Sequence, residues 1–152
     1  MGLFSGLFGK SVKIDHPFFG KMLFVDSKNK TEGYFECSRH FAPKEDSIEI
    51  VIAGTMEGPT QKQIDFFTGI EKNYEAITTS ITPLIEDQFR NFIDHFTIKD
   101  FKAEFEPVFL DIPKCDTQPV TWEIAFNSDH DRNHTFTLTM QDFTATEILI
   151  DG

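Results

Sequence analysis

Cysteine is scarce in this chain. Cys37 and Cys115 are the two in 152 residues, they form no Cys-x-x-Cys pair, and the usual zinc and thioredoxin-like signatures are therefore excluded. The signatures of phosphate binding and hydrolysis are missing as well. Gly54 to Thr60 lacks the lysine and hydroxyl pair of a P-loop, and the chain holds neither a Gly-x-Ser-x-Gly elbow nor a His-Glu-x-x-His helix motif. Basic residues are few: 14 Lys and Arg stand against 25 Asp and Glu. The formal charge of -11 lies outside the magnitude of about 2 to 8 that suits a small soluble domain. Nucleic acid is a poor match for such a chain, because binding phosphates needs a basic face. A basic protein is the better electrostatic partner.

No apolar run is long enough to span a bilayer. The opening Met1 to Lys10 is apolar, but it has no basic residue before its short apolar part and is interrupted by glycines. It thus reads as a flexible apolar segment, neither a secretory signal nor, with Gly6 at the sixth position, a myristoylation site. Leu3, Phe4, Leu7 and Phe8 offer at most one amphipathic turn for a membrane or a partner. A cytoplasmic location with both thiols reduced is expected.

Phenylalanine is abundant: 18 residues, against one Trp and two Tyr. Each one fully buried contributes about 1.5–3 kcal/mol, so half of them suffice for a substantial core. The pairs Phe18-Phe19 and Phe66-Phe67 cannot both point inward from a regular element, which suggests an exposed apolar patch or a homodimer contact.

Helical periodicity is confined to one stretch, Thr60 to Phe96. Ile64, Phe67, Ile70, Tyr74, Ile77, Ile81 and Leu84 fall three or four apart on one stripe. Thr82-Pro83 predicts either a kink or a second helix running from Pro83 to about Phe96, with Ile85, Phe89, Phe92, Ile93 and Phe96 inward. Strand signals flank it. Lys21 to Asp26 and Tyr34 to Phe41 read as a hairpin around the polar loop Ser27 to Gly33. Ile48, Ile50 and Ile52 alternate with polar neighbours, and a period of two returns from Lys99 through Phe105. Val120 to Phe126, Phe136 to Met140 and Thr144 to Ile150 supply further strands. With no repeat and no dividing linker, this predicts one α+β domain over 1–152: a mostly antiparallel sheet of about six or seven strands, with a kinked helix or helical pair on one face.

The densest polar cluster runs from Ser128 to His134. Asp129, Asp131 and Asn133 imitate the first half of an EF-hand loop, but His134 stands where glycine is needed and Met140 where a bidentate glutamate is. His130, Asp131 and His134 remain the candidate set for a transition-metal module or metal-dependent enzyme, with His16 or His40 as a fourth ligand. An ordinary polar hairpin turn uses the same residue types. Cys37 alternates with Phe35 and is expected to face the core as an inert thiol. No cofactor is implied.

Three patterns together carry a resemblance: Ile14 to Gly20, the Ile48 to Ile52 strand leading into the long helix, and Trp122 to Ile124 followed by Asp129 to His134 and a terminal Asp151-Gly152. The chain resembles a family of small uncharacterised bacterial cytoplasmic proteins, similar in kind to the immunity proteins of polymorphic toxins. The resemblance implies a non-enzymatic binding protein. On that reading an acidic surface steers a basic partner, and Phe18, Phe19, Glu104 and Glu106 are the candidate contacts.

Overall fold

The computed structural model describes residues 11–26 and 33–152. The apolar opening segment and most of the loop expected from Ser27 to Gly33 lie outside the described residues. The fold is α+β, and among the described residues its sheet has eight strands rather than six or seven. The difference arises at Ser11–His16 (β1), a short strand in which Val12 and Ile14 alternate with polar residues and which, among the described residues, pairs with Gly20–Asp26 (β2). Gly20, at φ 77°, takes a conformation that glycine adopts without strain as the turn enters β2. Inside this hairpin the His16 Nδ1 accepts the amides of Phe18 and Phe19, at 3.0 and 3.1 Å.

Gly33–Phe41 (β3) and Asp46–Gly54 (β4) complete a four-stranded antiparallel meander. Phe105–Ile112 (β5), Thr121–Ser128 (β6), Asp131–Gln141 (β7) and Thr144–Asp151 (β8) form a second one. The sheet follows chain order from β1 to β8, and among the described residues its one parallel contact is β4 with β5. A parallel neighbour requires a long crossover, and the helices lie within it.

Gln61–Lys72 (α1) begins with a capping box in which Thr60 accepts the Gln63 amide and the Gln63 side chain accepts the Thr60 amide. Tyr74–Phe89 (α2) follows after a break at Asn73. The break therefore falls ten residues before Pro83, which sits inside α2. Burial explains why the helix runs through the proline. Ile77, Ile81, Ile85 and Phe89 are all inaccessible to solvent, together worth about 6–12 kcal/mol against a proline cost of about 3. The helix stops at Phe89, not Phe96. Phe92 and Ile93 are exposed, contrary to the apolar face expected of them, and Phe96 returns to the core from an irregular segment. The alternation from Lys99 likewise misleads: Phe101–Glu104 (α3) is a helical turn capped by Asp100, and the strand starts at Phe105.

Both helices cover one face of the sheet. Phe67 meets Phe18, Phe19 and Phe41, Phe66 meets Trp122 edge-on at 5.7 Å, and Phe89 stacks on Phe136 at 5.3 Å. Neither phenylalanine pair leaves a member exposed. Phe19 is 2 % exposed, and Phe18, half-buried, is capped by the Arg39 guanidinium at 3.8 Å. Among the described residues no helix is long and apolar enough to cross a membrane.

Gln63 is the buried polar residue at the crossover. Its Nε2 donates to the Ala53 carbonyl at 2.7 Å and to the Pro113 carbonyl at 2.9 Å, joining α1 to the chain at the ends of β4 and β5. Gln63→Leu keeps the volume but leaves these buried acceptors and the Thr60 amide unpaired. A loss of about 2–4 kcal/mol is expected, read as a lower urea midpoint at unchanged slope. A loss under about 0.5 kcal/mol would show that the tie contributes little.

Candidate functional site

The alternation that buries Phe35, Ile50, Ile52, Leu110 and Ile124 beneath the helices sends the intervening residues to the other face. There the register aligns Leu23, Glu36, Val51, Asp111, Glu123 and Thr139 in one row across β2 to β7. A neighbouring row carries Ser38, Glu49, Phe109, Ala125, Thr137 and Leu149. The carboxylates of Glu36, Glu49, Asp111 and Glu123 thus share the open face with Val51 and Phe109, and the row continues to Glu147 on β8. Each comes from a different position in a strand pattern, two from each meander, and only strand pairing brings them together.

Over β1 to β5 this face forms a groove of about 1070 Å³. Tyr34, Glu36, Glu49, Val51 and Phe109 line it, with Lys13 and Lys21 contributed by the first hairpin. Burial holds the Glu36 carboxyl above its ordinary range; the charge of the amino terminus opposes the shift, and Glu49 adds the smallest contribution to it. Its Oε1 is buried, and among the described residues none donates a hydrogen bond to it. Asp111 is raised for the same reason, burial first and then the charge of Glu123 directly opposite. The face therefore holds negative charge against its own electrostatics.

The residues singled out from sequence are placed elsewhere. Phe19 belongs to the core and Phe18 to its edge, so neither presents a free aromatic face. Glu106 is 59 % exposed and lies 3.5 Å from Lys44, at the mouth of a separate crevice of about 500 Å³ between α3, β5 and the β6–β7 hairpin. Glu104 is turned inward. Its Oε2 accepts the amides of Lys99 and Asp100, at 2.9 and 2.6 Å, and its Oε1 lies 2.7 Å from the His130 Nε2. His130, in the two-residue turn between β6 and β7, also contacts the Phe96 ring at 5.0 Å. His134 is 2.7 Å from the Asp131 carboxylate instead. The two histidines therefore serve two different carboxylates, and among the described residues no three His, Cys, Asp or Glu side chains gather as a metal site.

Cys37 faces the helices beside Phe35, and burial pushes its thiol up to about 12. Such a thiol is a packing residue, not a nucleophile. Comparison with protein-family models, with curated proteins and with solved structures finds no match in any of the three.

Glu104 and Asp111 predict opposite pH behaviour. Burial opposes ionisation of Glu104, but the Asp100 amide, His130 and the Lys99 amide outweigh it and hold the carboxyl below its ordinary range. Its stabilising contribution is thus present above the ordinary glutamate range, about 4.3, and is lost as pH falls through the lower folded value. Glu104→Gln should cost about 1–3 kcal/mol at neutral pH, with the gap to wild type closing in acid. Asp111 keeps its proton longer folded than unfolded, so stability falls as pH rises from the unfolded value to the higher folded one. Asp111→Asn should therefore gain up to about 1 kcal/mol at neutral pH and nothing in strong acid. Urea titrations across pH read both, and a destabilised Asp111→Asn would show that the carboxylate has a stabilising partner.

Proposed function

We propose that this protein is a non-enzymatic protein-binding domain of the immunity type, which takes a basic partner on its open sheet face. The observation that carries the reading is the asymmetry of the sheet. One face is covered by α1 and α2, while the other carries Glu36, Glu49, Asp111 and Glu123 beside apolar Val51 and Phe109, and Glu36, Glu49, Val51 and Phe109 line a groove large enough to receive a protruding segment. A net charge of -11 steers a cationic protein toward the molecule, and the local concentration of carboxylates decides where it docks. Such a face is costly to keep: burial opposes the ionisation of Glu36 and Asp111, and at Asp111 the charge of Glu123 adds to it. A cationic partner relieves that repulsion on binding, which makes the strain of the free face a source of affinity.

This reading replaces the contacts expected at Phe18, Phe19 and Glu104 with others on the open face. Glu106 stays exposed at the edge of the separate crevice and is assigned no part. The test is capture of partners by the tagged protein at low salt, repeated with the double variant Glu36→Gln/Asp111→Asn. A basic protein that is released by salt, and whose retention drops about tenfold or more with the variant, supports the reading. Capture that survives the variant or ignores salt refutes it.

A further inference from the structure

Strand β2 is buried on both of its faces. Met22 and Phe24 belong to the core on the helix side, whereas Leu23 and Val25 alternate to the open face and are nonetheless only 8 % and 0 % exposed. They stand apart from the core cluster, because the sheet lies between. A valine on the face away from the helices needs a cover. Its cross-strand neighbours are Tyr34 on β3 and Ser11 on β1. The tyrosine can shield one side, but the serine, small and itself exposed, cannot shield the other. The described strands make a single sheet with α1 and α2 packed on its other face, so among the described residues no second layer closes over Val25.

Two stretches of chain adjoin this hairpin from outside the described residues, and their compositions differ. Ser27 to Glu32 is polar throughout, while Met1 to Lys10 carries Leu3, Phe4, Leu7 and Phe8. The second is also delivered to the right place. Ser11, the residue it leads into, is the direct partner of Val25. The eight residues from Leu3 to Lys10 reach roughly 26 Å when extended, several times the strand spacing of about 4.8 Å. Gly6 and Gly9 permit the chain to reverse over the sheet. The charge of the amino terminus acts on Glu36, the direct partner of Leu23, and such an influence fades over about 8–10 Å in ordinary salt.

We infer that the opening segment straps back across the open face, with Leu3, Phe4, Leu7 and Phe8 seated on Leu23 and Val25 beside Tyr34. The strap supplies the apolar cover that β2 requires. It closes the end of the groove lined by Leu23 and Tyr34, so a ligand entering there has to displace it. This docking is apolar and internal to the chain, and it does not rest on the proposed basic partner.

The test uses the full chain with a nitroxide at position 5, introduced by Ser5→Cys. Cys37 is buried, with its thiol pushed up to about 12, and does not take the label; Cys115→Ser removes the other thiol, and its hydroxyl can keep the bond to the Pro113 carbonyl. The amide signals of Leu23, Val25, Tyr34 and Glu36 are expected to lose most of their intensity by paramagnetic broadening. Those of Glu147 and Leu149 on β8, six strands away and roughly 29 Å across the sheet, should keep theirs. The pattern should persist in high salt, which screens charge but not apolar contact. Adding Leu3→Ser, Phe4→Ser, Leu7→Ser and Phe8→Ser should restore most of the lost intensity and shift the Leu23 and Val25 methyl signals, while unmoved Trp122 and Leu149 signals report an intact fold. Broadening that the four serines leave unchanged, as a free tail tethered at Ser11 would give, would overturn the inference. So would broadening that salt abolishes, or none at Leu23 and Val25.

Discussion

The parallel contact between β4 and β5 is the constraint on which the rest of the molecule depends. Two four-stranded meanders are each easy to build from local hairpins, but joining them edge to edge in chain order needs the backbone to leave Gly54 and re-enter the sheet running the same way at Phe105. The crossover supplies the helices, and the helices supply the second layer that a sheet with an apolar face requires. Ile77, Ile81, Ile85 and Phe89 on α2, with Phe67 and Ile70 on α1, are fully buried against that face. Gln63 fixes the geometry by satisfying carbonyls at the ends of both central strands. Core, sheet continuity and crossover are thus one interaction considered at three levels.

The same contact creates the open face. Glu36 and Glu49 come from the first meander, Asp111 and Glu123 from the second, and they share one surface because β4 and β5 are adjacent and in register. Repulsion among partly buried carboxylates works against folding, and a sheet selected for stability alone would place threonine there, as β7 does at Thr135, Thr137 and Thr139. Glu104, by contrast, belongs to the architecture: with His130 it holds the turn between β6 and β7 against the start of β5.

Much of the fold is legible in the amino-acid sequence. Alternation at Ile48, Ile50 and Ile52 and at Trp122, Ile124 and Phe126 marks strands with one buried side, and the three-to-four spacing from Ile64 to Leu84 marks the helical layer. Local signals mislead where burial competes with them. Pro83 reads as a break, yet the stripe on both sides of it is worth more than the hydrogen bond lost. Phe92 and Ile93 continue the helical spacing beyond Phe89, where the chain has already turned. Lys99 to Glu104 alternates like a strand but is a capped turn. The candidate site was less legible: Glu104, Phe18 and Phe19 have suggestive compositions, and their partners at His130, Arg39 and Phe67 are distant in sequence.

The sequence by itself determined the element types, the identity of most core residues and the acidic balance, because periodicity and composition are local or additive properties. Tertiary structure alone decided which charges act together. A single glutamate in an alternating strand is an ordinary exposed residue; Glu36, Glu49, Asp111 and Glu123 become one surface only when strands separated by about fifty residues of crossover pair in a register that no local pattern specifies.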